Sequence, residues 1–275
     1  CKKLGLLDRN GQWLRRRVRE DRNDGWAPFL IVGTAGTTAA GVIDPLPEIA
    51  QFCREEDLWF HADAAYGGAA ILSPELKEHL AGIEHADSIT WDAHKWLSVP
   101  MGCGMFFCRH RESVARAFHA DLTYMSGKQS GPVFDPLANS AQWSRRFIGL
   151  KLFLALANLG ESGYAAMIEH QARLGNVLRH ELMASGWRIV NETPLPVVCF
   201  TREHLDVSAF VTALHRRQIA WMSEARIDGA PVLRACISNY RTTENDLHQI
   251  VDEMNQVYRE SGAPELELLT TGKSR

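Results

Sequence analysis

The stretch His61-Ala-Asp-Ala-Ala-Tyr66, read together with Thr90-Trp-Asp-Ala-His-Lys95, decides how this chain folds. Each piece follows a short apolar run, Asp57-Leu-Trp-Phe60 in one case and Asp87-Ser-Ile-Thr-Trp91 in the other. Runs of that length and kind form buried parallel strands. An acid and a lysine are thereby placed at the carboxyl ends of two strands, where open α/β sheets put their ligand sites. An ammonium group there loses hydration and is costly unless it has chemistry to perform. One such chemistry is an imine with an aldehyde cofactor, and a carboxylate is then wanted to keep the cofactor's ring nitrogen protonated.

Outward from this pair, Pro28 to Val32 reads as a strand closed by Gly33 and emptying into Thr34-Ala-Gly-Thr-Thr-Ala-Ala-Gly41. Small residues and hydroxyls let a backbone approach a ligand, so this loop is a third strand end facing the same crevice, although taken alone it equally fits an ordinary turn. Asp44-Pro-Leu-Pro47 opens a helix through Glu56 whose inward stripe is Ile49, Ala50, Phe52 and Cys53. Strand, helix, strand repeats with a helix between Ser73 and His85, which predicts a parallel sheet with right-handed crossovers. Gly102 to Cys108 is the fourth strand, and Gly11 to Arg22 forms a helix before the first.

The pattern HxDAAYGG over 61–68, followed by DAHKW over 92–96 with Asp63 and Lys95 32 positions apart, resembles the group II pyridoxal-phosphate-dependent amino-acid decarboxylases. That family includes the aromatic-amino-acid, glutamate and diaminobutyrate enzymes. The resemblance runs from about Ala27 through Asp92 into the loop and helix beyond, and more loosely to Tyr258. Two linked motifs in the right order make it specific. It implies the aspartate-aminotransferase type of α/β fold (fold type I), with a parallel-rich sheet in a large domain over 1–155, a small α/β domain over 156–260 and a tail over 261–275.

The resemblance also implies a site. Lys95 forms the Schiff base with pyridoxal 5'-phosphate and Asp63 accepts the pyridine N–H. Ala65 lies under the ring, Thr38 near the ring hydroxyl, and His94 helps place the phosphate or the substrate. His61 is expected to be structural. The implied reaction is decarboxylation of an L-amino acid to its amine and CO2, performed by a cytoplasmic homodimer. The family's phosphate-binding loop and stacking histidine lie upstream and are not recognisable here, so a missing N-terminal segment or chain is expected to complete the site.

Two departures from the family pattern bear on chemistry. Asp92 stands where many members have Asn, and its charge would repel a phosphate unless it faces a donor. Between Met125 and Leu150 there is no tyrosine, with Pro136 and Leu137 near the place where the family's decarboxylases carry the residue that reprotonates the substrate carbon. His94, Tyr124 or a residue of the partner subunit would have to substitute. Otherwise the reaction diverts to decarboxylation-dependent oxidative deamination to an aldehyde. A catalytically silent dimerisation scaffold is the third reading.

The rest of the chain bounds the partners. With 275 residues, 45% of them hydrophobic, a substantial core is possible, and a net charge of −3 argues against nucleic acid. The basic run Arg15-Arg-Arg-Val-Arg19 has acidic neighbours Glu20, Asp21 and Asp24 and reads as a solvated helix face. Six cysteines without CxxC spacing fit reduced thiols in a cytosolic enzyme. No signal peptide or bilayer-spanning run is visible. His61, Asp63, His85 and His94 lack the spacing of a metal site, and neither a GxSxG elbow nor a Walker-type loop occurs.

Further along, Phe118 to Asn139 is a long lid-like loop. Ser144 to Gly160 is apolar nearly all round and is expected to be a helix buried between layers. Glu161 to Ser185 continues as an amphipathic helix stopped at Gly186. Strands are predicted at Trp187–Val190, Val197–Thr201 and Val232–Ser238, with helices at Asp206–Arg217 and Thr243–Glu260. Arg234 and Arg241 could meet an acidic group, but surface arginines near strands are commoner than ligands.

Overall fold

A computed structural model describes residues 12–118, 140, 142 and 144–261. The chain divides into two compact units, one running to Gly36 and resuming over Ile43–Ile168, the other made of Thr37–Val42 and the chain from Glu169 onward.

In the first unit, helix α1 (Gln12–Asn23) buries Leu14 and Val18. Four of its arginines form ion pairs, among them Arg17 with Asp21 at 2.7 Å, Arg15 with Glu55 at 2.6 Å, and Arg22 with Glu56. Strands β1 (Leu30–Thr34), β2 (Trp59–Asp63), β3 (Ser88–Asp92) and β4 (Gly104–Cys108) form one sheet in the order β1-β2-β3-β4. The first three are parallel, as their apolar runs and crossovers predict. β4 is antiparallel to β3, because only the short turn region 93–103 joins them and no crossover element fits there. Helix α2 (Leu46–Glu56) starts just after Pro45 and buries Leu46, Ile49, Ala50, Phe52 and Cys53. Gly33 permits its close approach, since a Cβ there would lie 3.0 to 3.1 Å from Phe60, Ile49 and Leu46.

Two expectations fail in this unit. The crossover between β2 and β3 contains no α-helix but three short 3-10 turns, Gly67–Leu72, Lys77–Leu80 and Ile83–His85. Pro74 and the glycines Gly67, Gly68 and Gly82 interrupt any longer run. The apolar segment after Ser144 forms a helix only from Gly149, and it is not buried: Phe153 is 65% exposed, and Leu150, Leu154, Leu156 and Leu159 are exposed as well. A short helix α3 (Arg111–Ala117), unforeseen in the sequence, follows β4. The lid-like stretch, with Tyr124, Pro136 and Leu137, lies outside the described residues beyond Phe118, as do Cys1 and the tail from residue 262.

Helix α4 (Gly149–Ala184) contains one non-helical residue, Gly160 at φ 66 and ψ −179, which splits it where the sequence changes from all-apolar to amphipathic. After it come β5 (Arg188–Ile189), β6 (Val197–Thr201), α5 (Val207–Arg217), β7 (Ser223–Ile227), β8 (Ala230–Cys236) and α6 (Glu244–Glu260). The second sheet is antiparallel in the order β5-β6-β8-β7. Its core joins Leu174, Leu178 and Leu182 to Trp187, Phe200, Leu214, Leu233 and Met254. The helices are capped by sequence. Asp206 accepts from Ala209 N, and Thr243 forms a reciprocal capping box with Asp246.

Candidate active site

Asp63 ends β2, in register with Thr34 of β1 and Thr90 of β3. The turn beyond it is tied to both neighbours. Ala35 N donates to Asp63 O at 2.8 Å, and Gly67 N donates to Ala35 O at 3.0 Å. On the other side, Ala64 N donates to Thr90 O at 2.9 Å and Asp92 N to Ala65 O at 3.1 Å. The carboxylate is oriented from its own strand end, Oδ1 accepting the Ala65 N–H at 3.1 Å. Gly68 allows the return of the chain over β3, because a Cβ there would come within 2.9 Å of the Trp91 ring. The DAAYGG sequence is thus a turn whose small residues are demanded by its neighbours.

Lys95 lies in the turn that follows β3. Its amide donates to Asp92 O, and its carbonyl accepts from Ser98 N, each at 3.1 Å. Trp96 points inward, fully buried and stacked on Tyr66 at 5.4 Å, while the Lys95 side chain stays 40% exposed. Lys95 Nζ is 2.9 Å from Asp92 Oδ2. Asp92 therefore faces a donor, and Gly104 opposite it gives the room, since a Cβ at 104 would stand 3.0 Å from Asp92 Oδ1.

His94 is fixed twice by Cys103, donating its amide to Cys103 O at 3.3 Å and accepting the Cys103 N–H on Nδ1 at 3.2 Å. With Nδ1 committed as acceptor, a neutral ring carries its proton on Nε2. His61 has Ser88 Oγ 2.8 Å from Nδ1 and Thr90 Oγ1 3.3 Å from Nε2. Burial pushes its pKa below the ordinary value, opposed by the Asp63 carboxylate.

Asp63, Ala65, His94 and Lys95 thus sit on adjoining strand ends of the first unit. Thr38 belongs to the second unit, where its carbonyl accepts from Arg234 Nε at 2.8 Å. Its loop is held there by Thr193 Oγ1 on Gly41 O at 2.6 Å and Asn191 Nδ2 on Ala40 O at 2.8 Å. Arg234 is accordingly occupied by a backbone, and Arg241 lies over the Tyr240 ring. The partners of His61 went unread in the sequence. The alternation Trp59, His61, Asp63 against Ser88, Thr90, Asp92 was the available signal, since alternate strand residues share a face. Among the described residues no three His, Cys, Asp or Glu side chains converge as a metal site requires, and no helix is long and apolar enough to cross a membrane.

The profile of the pyridoxal-dependent decarboxylase conserved domain matches residues 6–203, and the chain belongs to that family. It is 30% identical over 260 residues to an aromatic-L-amino-acid decarboxylase of Bacillus atrophaeus, covering 90% of this chain and 54% of the relative. It is 34% identical over 191 residues to a 4-hydroxyphenylacetaldehyde synthase of Rhodiola rosea, covering 68% and 38%. Among solved structures, tryptophan decarboxylase of Catharanthus roseus superposes with a TM-score of 0.81 at 25% identity, over 90% of this chain and 53% of that one. The fold is that of the aspartate-aminotransferase type of pyridoxal enzyme. The chain spans about half the length of the curated relatives it matches.

Proposed function

We propose that the chain carries the pyridoxal-phosphate site of a carboxy-lyase that converts an L-amino acid to its amine and CO2. The observation behind this reading is the stitching of two strand ends, Ala64 to Thr90 and Asp92 to Ala65, which sets a reactive amine and an oriented carboxylate on neighbouring edges. The donor set suits the cofactor: Lys95 is accessible enough to react, Asp63 is aimed by Ala65 N–H, and Ala65 adds only a methyl group. When bound, pyridoxal phosphate supplies an aldehyde that condenses with amines and a ring that takes up the electron pair left by a departing carboxylate.

Within that reading each residue has a task. Lys95 would hold the cofactor through its amine, and Asp92, 2.9 Å from Nζ, would balance that group when it is a free ammonium. Asp63 keeps a proton on the ring nitrogen by an ion pair that favours the charged form. His94, with Nδ1 accepting from Cys103, would offer a proton on Nε2 to the phosphate or the substrate. Residues 1–155 act as the C-terminal part of the cofactor-binding domain and 156–260 as the small domain. A homodimer in the cytoplasm completes the reading.

Loss of the loop tyrosine favours a second outcome, in which O2 and water replace the proton and the products are aldehyde, ammonia, CO2 and peroxide. The similarity to a 4-hydroxyphenylacetaldehyde synthase supports keeping it. Incubation of the protein with candidate amino acids, measuring CO2, amine, aldehyde and peroxide together, separates the two. Amine equal to CO2 supports decarboxylation, peroxide equal to CO2 supports the oxidative route, and no CO2 from any amino acid overturns both.

A further inference from the structure

The turn that carries His94 and Lys95 returns to β4 through a limb from Leu97 to Cys103. Backbone bonds hold its start, Ser98 N donating to Lys95 O and Val99 N to Ala93 O, each at 3.1 Å. Beyond Val99 the support changes. Pro100 has no N–H to give, and Ser98, at φ 56, already stands in the left-handed region that side chains disfavour. Ser98, Pro100, Met101 and Gly102 are all exposed. Helix α4 holds this outer limb. Lys151 Nζ donates to Pro100 O at 2.7 Å and to Met101 O at 2.8 Å, and the Tyr164 hydroxyl donates to Leu97 O at 3.4 Å. The two donors stand on either side of the non-helical Gly160, and every residue of this arrangement belongs to the first unit.

Lys151 is an odd residue for its place on the helix. It is the one charged side chain between Phe147 and Gly160. It lies in the first turn of α4, where the free N–H groups disfavour a cation, and no acid stands in that turn to offset it. Its two carbonyl partners sit at the short distances of charge-assisted hydrogen bonds. The limb, and not the helix, accounts for the lysine.

The clamped carbonyls lead to His94. Met101 O belongs to the peptide shared with Gly102, and Cys103 follows. Gly102, at φ 66, has nothing within 4 Å of the place a Cβ would take, so packing does not fix the chain there. Cys103 then donates its N–H to His94 Nδ1 at 3.2 Å and accepts the His94 N–H at 3.3 Å. A limb fixed at Met101 keeps the Cys103 N–H aimed at the ring, and an accepted N–H on Nδ1 leaves the proton of a neutral ring on Nε2.

We propose that Lys151 is a positioning residue for His94: by gripping the Pro100 and Met101 carbonyls it fixes the limb that brings Cys103 to the ring, and so decides which ring nitrogen carries the proton. The consequence for cofactor or substrate rests on the role of His94 proposed above, whereas the placement of the ring proton does not.

Imidazole 15N shifts of His94 and amide exchange of Cys103, measured by NMR on the labelled protein without cofactor, test the proposal. The wild type is expected to show a bare Nδ1, a protonated Nε2 and a protected Cys103 amide. Lys151→Met keeps the length of the side chain and removes a charge that the helix start disfavours, so α4 is retained. This variant is expected to populate both tautomers and to exchange the Cys103 amide about tenfold faster, the scale of one lost hydrogen bond to a charged group. Lys151→Arg, whose guanidinium also offers N–H groups to two carbonyls, is expected to restore the single tautomer and the slow exchange. An unchanged tautomer and exchange rate in Lys151→Met overturns the proposal, as does Lys151→Arg behaving like Lys151→Met. Pyridoxal phosphate, titrated by visible absorbance, is expected to bind Lys151→Met up to about tenfold more weakly. An unchanged Kd beside a shifted tautomer defeats the reading of His94 as a cofactor contact and leaves the positioning by Lys151 standing.

Discussion

The two compact units solve the burial problem differently. The second closes its own core: Trp187 meets Phe200, Phe210 and Tyr258 at ring distances of 5.5 to 5.9 Å, and Leu214, Leu233 and Met254 are fully enclosed. The first carries the candidate chemistry and leaves apolar side chains in the open, with Phe147 80% exposed and Trp26, Phe29, Phe106 and Phe107 exposed too. The second unit also opens Trp221, at 81%, but its exposed large apolar residues are fewer. The difference teaches that burial and candidate chemistry are unevenly shared: the unit with the aromatic core holds few of the candidate site residues, and most of those residues sit in the unit with the more open apolar surface.

The sharpest way to break the comparison is at Lys95. Lys95→Ala is expected to lower CO2 release at least about a thousandfold, as for a nucleophile the reaction cannot replace, while leaving thermal unfolding within about 0.5 kcal/mol. Thermal melts and product assays on the same preparation check both halves. Next in size are packing changes. Gly82→Ala in the first unit puts a Cβ 2.4 Å from Pro47 N at φ 94 and should destabilise that unit by on the order of 3 kcal/mol or more. Leu214→Ala in the second should cost about 2–5 kcal/mol, whereas Phe153→Ser on the exposed helix should cost about 0.5 kcal/mol or less and weaken self-association instead. Denaturant unfolding combined with light scattering separates these outcomes.

Smaller effects sharpen the contrast further. Thr243→Ala removes the capping box of α6 and should cost about 1 kcal/mol in the second unit alone. Acid should act on the first unit through His61, whose pKa is held below its ordinary value of 6.5. Unfolded His61 takes up a proton at a pH where the folded residue does not. Its contribution is therefore intact above that value and lost as pH falls towards the folded pKa. His61→Gln should flatten this part of the stability profile in chemical unfolding between pH 7 and 5.

Many of the elements were legible in the sequence, for physical reasons that differ by element. Strands β1 to β3 read correctly because parallel strands of α/β sheets are short continuous apolar runs, even though Leu30 and Val32 of β1 are exposed, and the break at Gly160 coincides with a change in hydrophobic period. The direction of β4 could not be read, since the same apolar run serves either orientation. Strand β7 was missed because an edge strand needs one apolar face only, and Glu224 and Arg226 occupy the other. The exposure of Phe153 and its neighbours was misjudged because a helix apolar all round reports that something covers it, and not what does. At the candidate site, Lys95, Asp63, Ala65 and His94 were all expected from one linked motif. The tie of Thr38 to Arg234 and the ion pair of Asp92 with Lys95 depend on tertiary contacts that no local pattern encodes.

The account turns on Lys95 as the amine that takes the pyridoxal aldehyde. Incubation with pyridoxal phosphate, borohydride reduction and peptide mapping by mass spectrometry tests it directly. The expected result is a phosphopyridoxyl group on Lys95, sharply reduced in Asp63→Ala. Modification spread over surface lysines such as Lys77 and Lys151, with Lys95 unlabelled, would contradict it.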